Sequence, residues 1–307
     1  MGSIRCAERN SSTGYQAGAA FARRHFLRVV RTMTATGSEK VALVTGAGSG
    51  GDRVDGIGEA TCLKLATKGY VIGVLDVSEE AGNRTSDRIR DIGGQAKVLV
   101  ADLADKRQCQ AAVAEMHGAF GRIDGLVNNL GVGFGTVVTE FVEEDFDRAF
   151  ALNCKSAIYM AQAVLPHMRP GSAIVNVSTT AVAYPTRSFA YSSTKAAMEA
   201  LTDHIAMQFG PEGIRCNTVR PGEVWTAMVD RNCPNEAAAR RLRDERARRC
   251  TLPWSGDAGD VADAIAFLIS QDARWITGQL LTIDGGARLI RPDPEWKSHH
   301  SYWKARR

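Results

Sequence analysis

The chain has 307 residues, of which 44% are hydrophobic and 23% charged, which is the balance of a globular protein large enough for a sizeable core. No run approaches the roughly 20 apolar residues that span a bilayer. The net charge of +4 belongs to the two ends, since residues 1–38 carry +5 and residues 288–307 carry +4, which leaves −5 on residues 39–287. A mildly acidic body argues against nucleic acid as a partner.

The seven cysteines indicate reduced thiols. Their number is odd, none forms a C-x-x-C pair and the six histidines show no ligand spacing, so we expect no disulfide framework and no metal. Cysteines without a disulfide framework favour a cytoplasmic protein. The Arg-rich run "FARRHFLRVVR" leaves an organellar presequence open. Because Met33 is a natural start, we expect residues 1–38 to be an upstream mis-start or a disordered extension.

Short apolar, β-branched runs alternate with segments of helical period. The predicted strands cover 40–45, 70–76, 96–101, 123–128, 172–178, 214–219 and 280–283. The predicted helices cover 58–68, 79–91, 105–119, 143–168, 191–209 and 258–270. The strands are nearly continuous in apolar character, as in strands buried on both faces of a parallel sheet. The alternation predicts one α/β domain over residues 39–287, with a doubly wound parallel sheet of about seven strands and a basic tail over 288–307.

Residues 223–256 interrupt this alternation just before the last helix and strand. The segment "EAAARRLRDERARRC" predicts an exposed helix that bears many arginines. In a doubly wound fold, such an excursion at the carboxyl ends of the strands often covers the ligand crevice. A solvated surface helix and a lid on the substrate side both remain open.

The Gly-rich stretch "TGAGSGGDRVDGIGEA" follows the first predicted strand and leads into a helix. Backbone N–H groups at a helix N-terminus attract a pyrophosphate, and glycine allows its close approach. The second strand ends in Asp76, 18 residues after Gly58, near the spacing expected for an acid that binds the adenosine ribose. A carboxylate there repels a 2′-phosphate, which favours NAD over NADP. Asp76 as a helix N-cap is the alternative, but Ser78 can serve that purpose.

The segment "YSSTK" places Tyr191 and Lys195 four residues apart, on one face of a helix. An ammonium beside a phenol favours the phenolate, so we expect Lys195 to lower the pKa of Tyr191. Tyr191 would then exchange a proton with an alcohol. Ser178, 13 residues before Tyr191 at the end of a strand, is placed to hydrogen-bond the same substrate oxygen.

Together these motifs resemble the short-chain dehydrogenase/reductase family over about residues 39–287, with its Rossmann-type fold. Four further segments resemble motifs of the same family: "ALNCK" with Asn153, "VNNLG" with Leu130 in place of the usual Ala, "ADLAD", and "RPGEVWTAM". The resemblance assigns four catalytic residues, Asn153, Ser178, Tyr191 and Lys195. It assigns as cofactor-binding residues Gly46, Ser49, Gly56, Ile57, Asp76, Asp102, Leu103, Asn129, Gly131, Tyr191, Lys195, Pro221, Gly222, Val224 and Thr226.

The resemblance also implies a mechanism and an assembly. Hydride passes between a substrate carbon and the nicotinamide, with Tyr191 as acid or base and Ser178 polarising the reacting oxygen. Lys195 contacts the nicotinamide ribose, and Asn153 helps to hold a water that links Lys195 to solvent. The helices over 143–168 and 191–209 would pair across a twofold axis, which implies a homodimer or homotetramer.

The function expected is therefore NAD-dependent interconversion of a secondary alcohol and a ketone. A reductase of 3-oxoacyl thioesters that uses NADP is one alternative, and Asp76 argues against it. A non-catalytic dinucleotide-binding protein is the other, and the four retained catalytic residues argue against it. The substrate pocket is expected near residues 132–140, 180–189 and 223–253, where apolar and aromatic groups favour an uncharged or weakly polar small molecule.

The Gly-rich loop departs from the family pattern T-G-x-x-x-G-x-G. Removing six residues, 50–55 or 51–56, restores that pattern, which predicts an insertion. We rank three hypotheses for it: a solvated bulge first, Arg53 folded onto the pyrophosphate second, and a disabled site last.

Overall fold

The computed structural model describes residues 39–48, 50, 53–133, 138–184 and 188–290. Its strands are β1 (Lys40–Thr45), β2 (Tyr70–Asp76), β3 (Ala96–Val100), β4 (Gly125–Asn128), β5 (Ala173–Val177), β6 (Arg215–Pro221), β7 (Val224–Trp225), β8 (Gly256–Asp257) and β9 (Leu280–Ile283). Its α-helices are α1 (Ile57–Thr67), α2 (Glu79–Asp91), α3 (Lys106–Phe120), α4 (Glu143–Phe150), α5 (Ser156–Val164), α6 (Phe189–Phe209), α7 (Ala227–Asp230), α8 (Glu236–Arg248) and α9 (Ala258–Ile269).

Seven strands form one parallel sheet in the order β3-β2-β1-β4-β5-β6-β9. The prediction of a seven-stranded, doubly wound parallel sheet is confirmed. The strand order reverses between β1 and β4, and ligands of such sheets bind at this switch point, beyond the carboxyl ends of the strands. The short pair β7 and β8 forms a separate parallel ladder within the predicted lid region.

A hydrophobic layer covers each face of the sheet. On one face the core side chains come from α1, α2 and α9, and on the other from α3, α5 and α6. The strands contribute to both layers, because successive side chains point to opposite faces. Burial on both sides explains the nearly continuous apolar runs in the sequence.

The predicted helix over 143–168 is interrupted. Between α4 and α5 the residues Ala151–Lys155 form a π-helical turn, and α5 gives way to a 3₁₀ turn at Leu165–His167. A π turn shifts the side chains that follow it around the helix and is frequent at functional sites. Here it contains Asn153, whose side chain reaches backbone groups outside the helix.

The two ends of the chain, residues 1–38 and 291–307, lie outside the described residues, so the predicted extension and most of the predicted basic tail stay predictions. Within the described residues, no helix has both the length and the apolar character to cross a membrane. The six cysteines of this part of the chain are free thiols.

An ion-pair cluster joins the Gly-rich loop to α1 and α2. The Arg88 guanidinium donates to Asp55 at 2.7 Å and to Glu59, whose side chain is fully buried. These carboxylates raise the pKa of Arg88 against the effect of burial. The cluster therefore holds the N-terminal turn of α1 against α2.

We expect Arg88→Met to destabilise the fold by about 3 kcal/mol, because it leaves the buried Glu59 carboxylate without a counter-charge. Urea unfolding followed by circular dichroism measures the change. The double variant Glu59→Gln/Arg88→Met is the matched control and should recover most of the lost stability. An Arg88→Met protein as stable as the wild type would contradict this role.

Candidate active site

A cleft of about 610 Å³ opens at the carboxyl ends of β1, β4, β5 and β6. Most predicted site residues line it: Gly46, Gly56, Ile57, Asp76, Asn129, Gly131, Ser178, Tyr191, Lys195, Pro221, Gly222, Val224 and Thr226. The structure thus brings together residues that are spread over more than half the length of the chain. The cleft lies at the switch point between β1 and β4, where the fold predicts a ligand.

Glycines form one wall of the cleft because the backbone there leaves no room for side chains. Gly46 has a φ of +58°, in the left-handed region that favours glycine. A Cβ on Gly58 would lie 2.3 Å from the Gly46 carbonyl oxygen. α1 begins after Gly56, which provides no side-chain cap, so its first N–H groups stay available to an anion. This geometry fits the pyrophosphate of a dinucleotide.

The ends of β1 and β4 are hydrogen-bonded together through Asn129. Its side-chain amide donates to the carbonyl oxygens of Thr45 at 3.0 Å and Gly46 at 2.9 Å. The Thr45 hydroxyl in turn accepts the backbone N–H groups of Asn129 and Leu130. Asn129 therefore shapes the Gly-rich turn in this structure.

Asp76 lies at the end of β2 with its carboxylate beside the Gly-rich turn. One carboxylate oxygen accepts the Gly48 N–H at 2.8 Å, and the other accepts the Ser78 N–H at 3.0 Å. The hydroxyl of Ser78 caps α2 by accepting the Ala81 N–H. The alternative that Asp76 caps this helix is thereby set aside. Arg84, from α2, lines the same cleft.

Tyr191 and Lys195 lie one turn apart on α6, as the spacing predicts. Both side chains lie beside Gly131. A Cβ on Gly131 would lie 3.1 Å from Lys195 Nζ and 3.6 Å from Tyr191 Cε2. The Lys195 ammonium, however, donates to the carbonyl oxygens of Leu130 at 2.9 Å and Val177 at 2.8 Å. It thus joins α6 to the ends of β4 and β5.

The expected lowering of the Tyr191 pKa is wrong for this structure. Burial raises the pKa of Tyr191 to about 12 and lowers the pKa of Lys195 to about 7. Desolvation disfavours the charged form of each group, and it is the largest cause of both pKa shifts. Tyr191 is therefore a phenol at neutral pH, the form that can donate a proton.

Ser178 follows β5 and is 3% exposed within the cleft wall. Its hydroxyl donates to Glu199 Oε1 at 2.6 Å, and its backbone N–H donates to Val219. Glu199 comes four residues after Lys195 on α6. The sequence analysis did not single out Glu199, although the spacing of four from Lys195 repeats the spacing of Lys195 from Tyr191.

Asn153 is 1% exposed and lies outside the cleft lining. Its side chain accepts the Val132 N–H at 2.7 Å and donates to the Val132 carbonyl at 2.8 Å and to the Thr194 hydroxyl at 2.9 Å. Asn153 therefore fixes the loop after β4 against α6. The role that the resemblance implies, holding a water that links Lys195 to solvent, stays a prediction.

Two other predicted cofactor residues, Asp102 and Leu103, do not line the cleft. Asp102 is exposed and accepts the Ala104 N–H in a local turn, while Leu103 is buried in the core. Ser49 lies outside the described residues. The same holds for residues 134–137 and 185–187 of the predicted substrate pocket.

The segment after β6 contributes residues that were not assigned from the sequence. The Arg246 guanidinium, from α8, donates to the carbonyl oxygens of Gly222 and Val224, and burial lowers the pKa of Arg246. The cleft lining also includes Met228, Val229 and Arg231. Two arginines of the predicted lid region, Arg231 and Arg246, therefore line the cleft.

The comparisons with known proteins agree with this arrangement. A family model described as enoyl-(acyl carrier protein) reductase matches residues 51–288. The 7α-hydroxysteroid dehydrogenase of Bacteroides fragilis is 32% identical over 82% of this chain and 96% of its own.

Two solved structures are also similar to the chain. A short-chain dehydrogenase/reductase from Burkholderia xenovorans has a TM-score of 0.77 and 32% identity, over 83% of this chain and 98% of its own. A 7α-hydroxysteroid dehydrogenase complexed with NADH and 7-oxo glycochenodeoxycholic acid has a TM-score of 0.72 and 30% identity, over 80% of this chain and 93% of its own. With the sheet order, the glycine turn and the paired Tyr191 and Lys195, these matches show that the chain belongs to the short-chain dehydrogenase/reductase family.

Proposed function

We propose that the protein interconverts a secondary alcohol and a ketone by hydride transfer to or from NAD. The observation that carries the proposal is the shared cleft: Tyr191, Lys195 and Ser178 line one part of it, and the uncapped start of α1 lines another. A related 7α-hydroxysteroid dehydrogenase is complexed with NADH, which supports this cofactor. The cofactor, when bound, supplies or accepts the hydride.

The glycine turn and the first N–H groups of α1 would hold the pyrophosphate, with Gly46, Gly56 and Ile57 as contacts. Asp76 would accept the adenosine ribose hydroxyls. Gly131, Asn129 and the loop after β6, with Pro221, Gly222, Val224 and Thr226, would surround the nicotinamide end. Ser49, Asp102 and Leu103 stay predictions for this cofactor site.

Each catalytic side chain has a role in the reaction that follows from its contacts. Tyr191 is the proton donor to the ketone oxygen or, after losing its proton, the base that takes the alcohol proton. Lys195 holds α6 on the ends of β4 and β5 and would lie beside the nicotinamide ribose. Ser178 contacts the reacting oxygen, and Asn153 positions the loop next to Lys195.

We propose that the predicted insertion is a bulge tied to the lid region. Arg53 pairs with Asp230 at 2.6 Å and approaches Glu236 at 3.6 Å, and the Asp55 carbonyl accepts the Ala227 N–H. These contacts of Arg53 with the lid region support the bulge over the pyrophosphate clamp. Residues 51–52 lie outside the described residues.

We further propose a small-molecule alcohol or ketone as substrate, a homodimer or homotetramer as the assembly, and a cytoplasmic location. The mildly acidic body, the free thiols and the family resemblance support these three statements. The NADP-dependent reduction of 3-oxoacyl thioesters stays the alternative activity.

The proposal is tested by a panel of secondary alcohols followed at the absorbance of NADH and NADPH. We expect catalytic efficiency at least tenfold higher with NAD than with NADP, about 1.4 kcal/mol, because the Asp76 carboxylate repels a 2′-phosphate. Asp76→Ser should narrow this preference. Equal efficiency of the wild type with both cofactors would contradict it, and a loss of NADP activity in Arg84→Gln would then identify Arg84 as the 2′-phosphate ligand.

The pH dependence of the two directions should differ. Alcohol oxidation needs the Tyr191 phenolate, which is scarce below a pKa of about 12, whereas ketone reduction needs the phenol. From about pH 8 to about pH 10, above the pKa of about 7 of Lys195, we therefore expect kcat/KM for oxidation to rise by as much as about tenfold per unit, and that for reduction to stay nearly constant. Initial rates in both directions measure this. An oxidation rate independent of pH over the range would contradict Tyr191 as the base.

A further inference from the structure

The short helix α7 of the predicted lid region lies against the Gly-rich loop. A Cβ on Gly50 would lie 2.9 Å from the Ala227 Cβ, and the Ala227 N–H donates to the Asp55 carbonyl oxygen at 3.2 Å. Arg53 adds an ion pair of 2.6 Å with Asp230, whose side chain is 11% exposed. These contacts hold both ends of α7 on the loop that leads into α1.

Arg231 directly follows α7 and lines the cleft. Its backbone is still helical, with a φ of −57° and a ψ of −26°. Because it comes four residues after Ala227, the two side chains share the face of the helix that lies against Gly50. Helical side chains also lean toward the N-terminus, and the Arg231 Nε donates to the Ala227 carbonyl oxygen at 3.3 Å. The side chain therefore runs back along α7 toward the Gly-rich loop.

Four basic side chains of the described residues line the cleft, and three of them are engaged by other groups. Arg84 pairs with Glu80 at 2.7 Å. Lys195 and Arg246 each donate to two backbone carbonyl oxygens. The fourth is Arg231, which forms no ion pair with the described part of the chain and uses only its Nε in a hydrogen bond. Its Nη groups are therefore free to donate to a ligand in the cleft.

We infer that Arg231 binds the pyrophosphate of the dinucleotide and completes the anion site that the Gly-rich loop begins. The inference rests on the proposed function, which supplies the dinucleotide. Each phosphate of the pyrophosphate carries a negative charge, and the first N–H groups of α1 offset only part of it. A guanidinium offsets more, because its planar fork donates to two phosphate oxygens at once.

Arg53 acts on the same anion indirectly. It neutralises Asp230, the residue before Arg231, whose carboxylate would otherwise compete with the pyrophosphate for the Arg231 guanidinium. It also holds α7 on the loop. Arg53 is thus a positioning residue, and the predicted insertion supports cofactor binding through the lid region.

The test measures the Kd of NADH by fluorescence and the Kd of ADP-ribose by calorimetry. ADP-ribose has the same pyrophosphate but lacks the nicotinamide. We expect Arg231→Gln to raise both Kd values by about tenfold or more, through the loss of a charge-assisted contact. Arg231→Lys keeps the charge without the fork and should raise them less.

Arg241→Gln is the matched control for the loss of charge. Arg241 is an exposed arginine of α8, and its Nε donates to a carbonyl oxygen of the same helix. This variant should leave both Kd values unchanged. A loss as large as that of Arg231→Gln would mean that the net charge of the lid region, and not a contact, decides the affinity, which would overturn the inference.

The two ligands also show which part of the cofactor Arg231 contacts. A raised Kd for NADH with an unchanged Kd for ADP-ribose would place Arg231 at the nicotinamide and overturn the inference. Unchanged Kd values for both ligands would overturn it as well. A raised KM for the alcohol would then assign Arg231 to the substrate.

Arg53→Gln tests the indirect part of the inference. In the wild type it should raise the Kd of NADH by about threefold, the effect of a partly exposed ion pair. In the Arg231→Gln background it should have no further effect, because the side chain that Arg53 positions is gone. Equal effects in both backgrounds would contradict the positioning role of Arg53.

Binding measured without turnover separates this inference from the proposed function. A protein that binds NADH through Arg231 but transfers no hydride with any alcohol of the panel would refute the proposed function and keep the pyrophosphate contact. An active enzyme whose affinity for NADH does not depend on Arg231 would refute the inference alone. A wild type that binds neither NADH nor ADP-ribose would overturn both.

Discussion

One buried ammonium group connects the chemistry of this protein to its sheet. Lys195 is 1% exposed, and its Nζ donates to carbonyl oxygens at the ends of β4 and β5. The desolvation that lowers the pKa of Lys195 would disfavour a cation here, and the two carbonyls offset part of that cost. Because α6 is held at this point, Tyr191 lies over the switch point of the sheet, where the glycine turn also opens.

The neighbouring polar groups extend this anchoring by direct contacts. Asn153 fixes the loop after β4 to α6, and Asn129 joins that loop to the glycine turn after β1. Glu199 and Arg220 connect α6 to the end of β6. The cleft is thus built by hydrogen bonds between segments that are distant in sequence, and several of these bonds hold α6 against the carboxyl ends of the strands.

The sequence was sufficient for the sheet, the paired Tyr191 and Lys195, and Asp76 at the end of β2, because each follows from a local periodicity or spacing. The sequence was insufficient where contacts between distant segments determine the local backbone or the pKa of a side chain. The π turn at Asn153 depends on a contact with Val132, and the raised pKa of Tyr191 depends on burial, which spacing does not report. Glu199 and Arg246 were missed because their partners lie on other elements, at Ser178 and Gly222.

The central claim is that Tyr191 transfers the proton in an alcohol and ketone reaction. Its most direct test is the turnover of Tyr191→Phe, which keeps the ring and removes the ionisable hydroxyl. The account predicts a fall of about 10²–10⁴-fold in turnover, with the Kd for NADH nearly unchanged because the phosphates are held at the glycine turn. Turnover near that of the wild type would contradict the account.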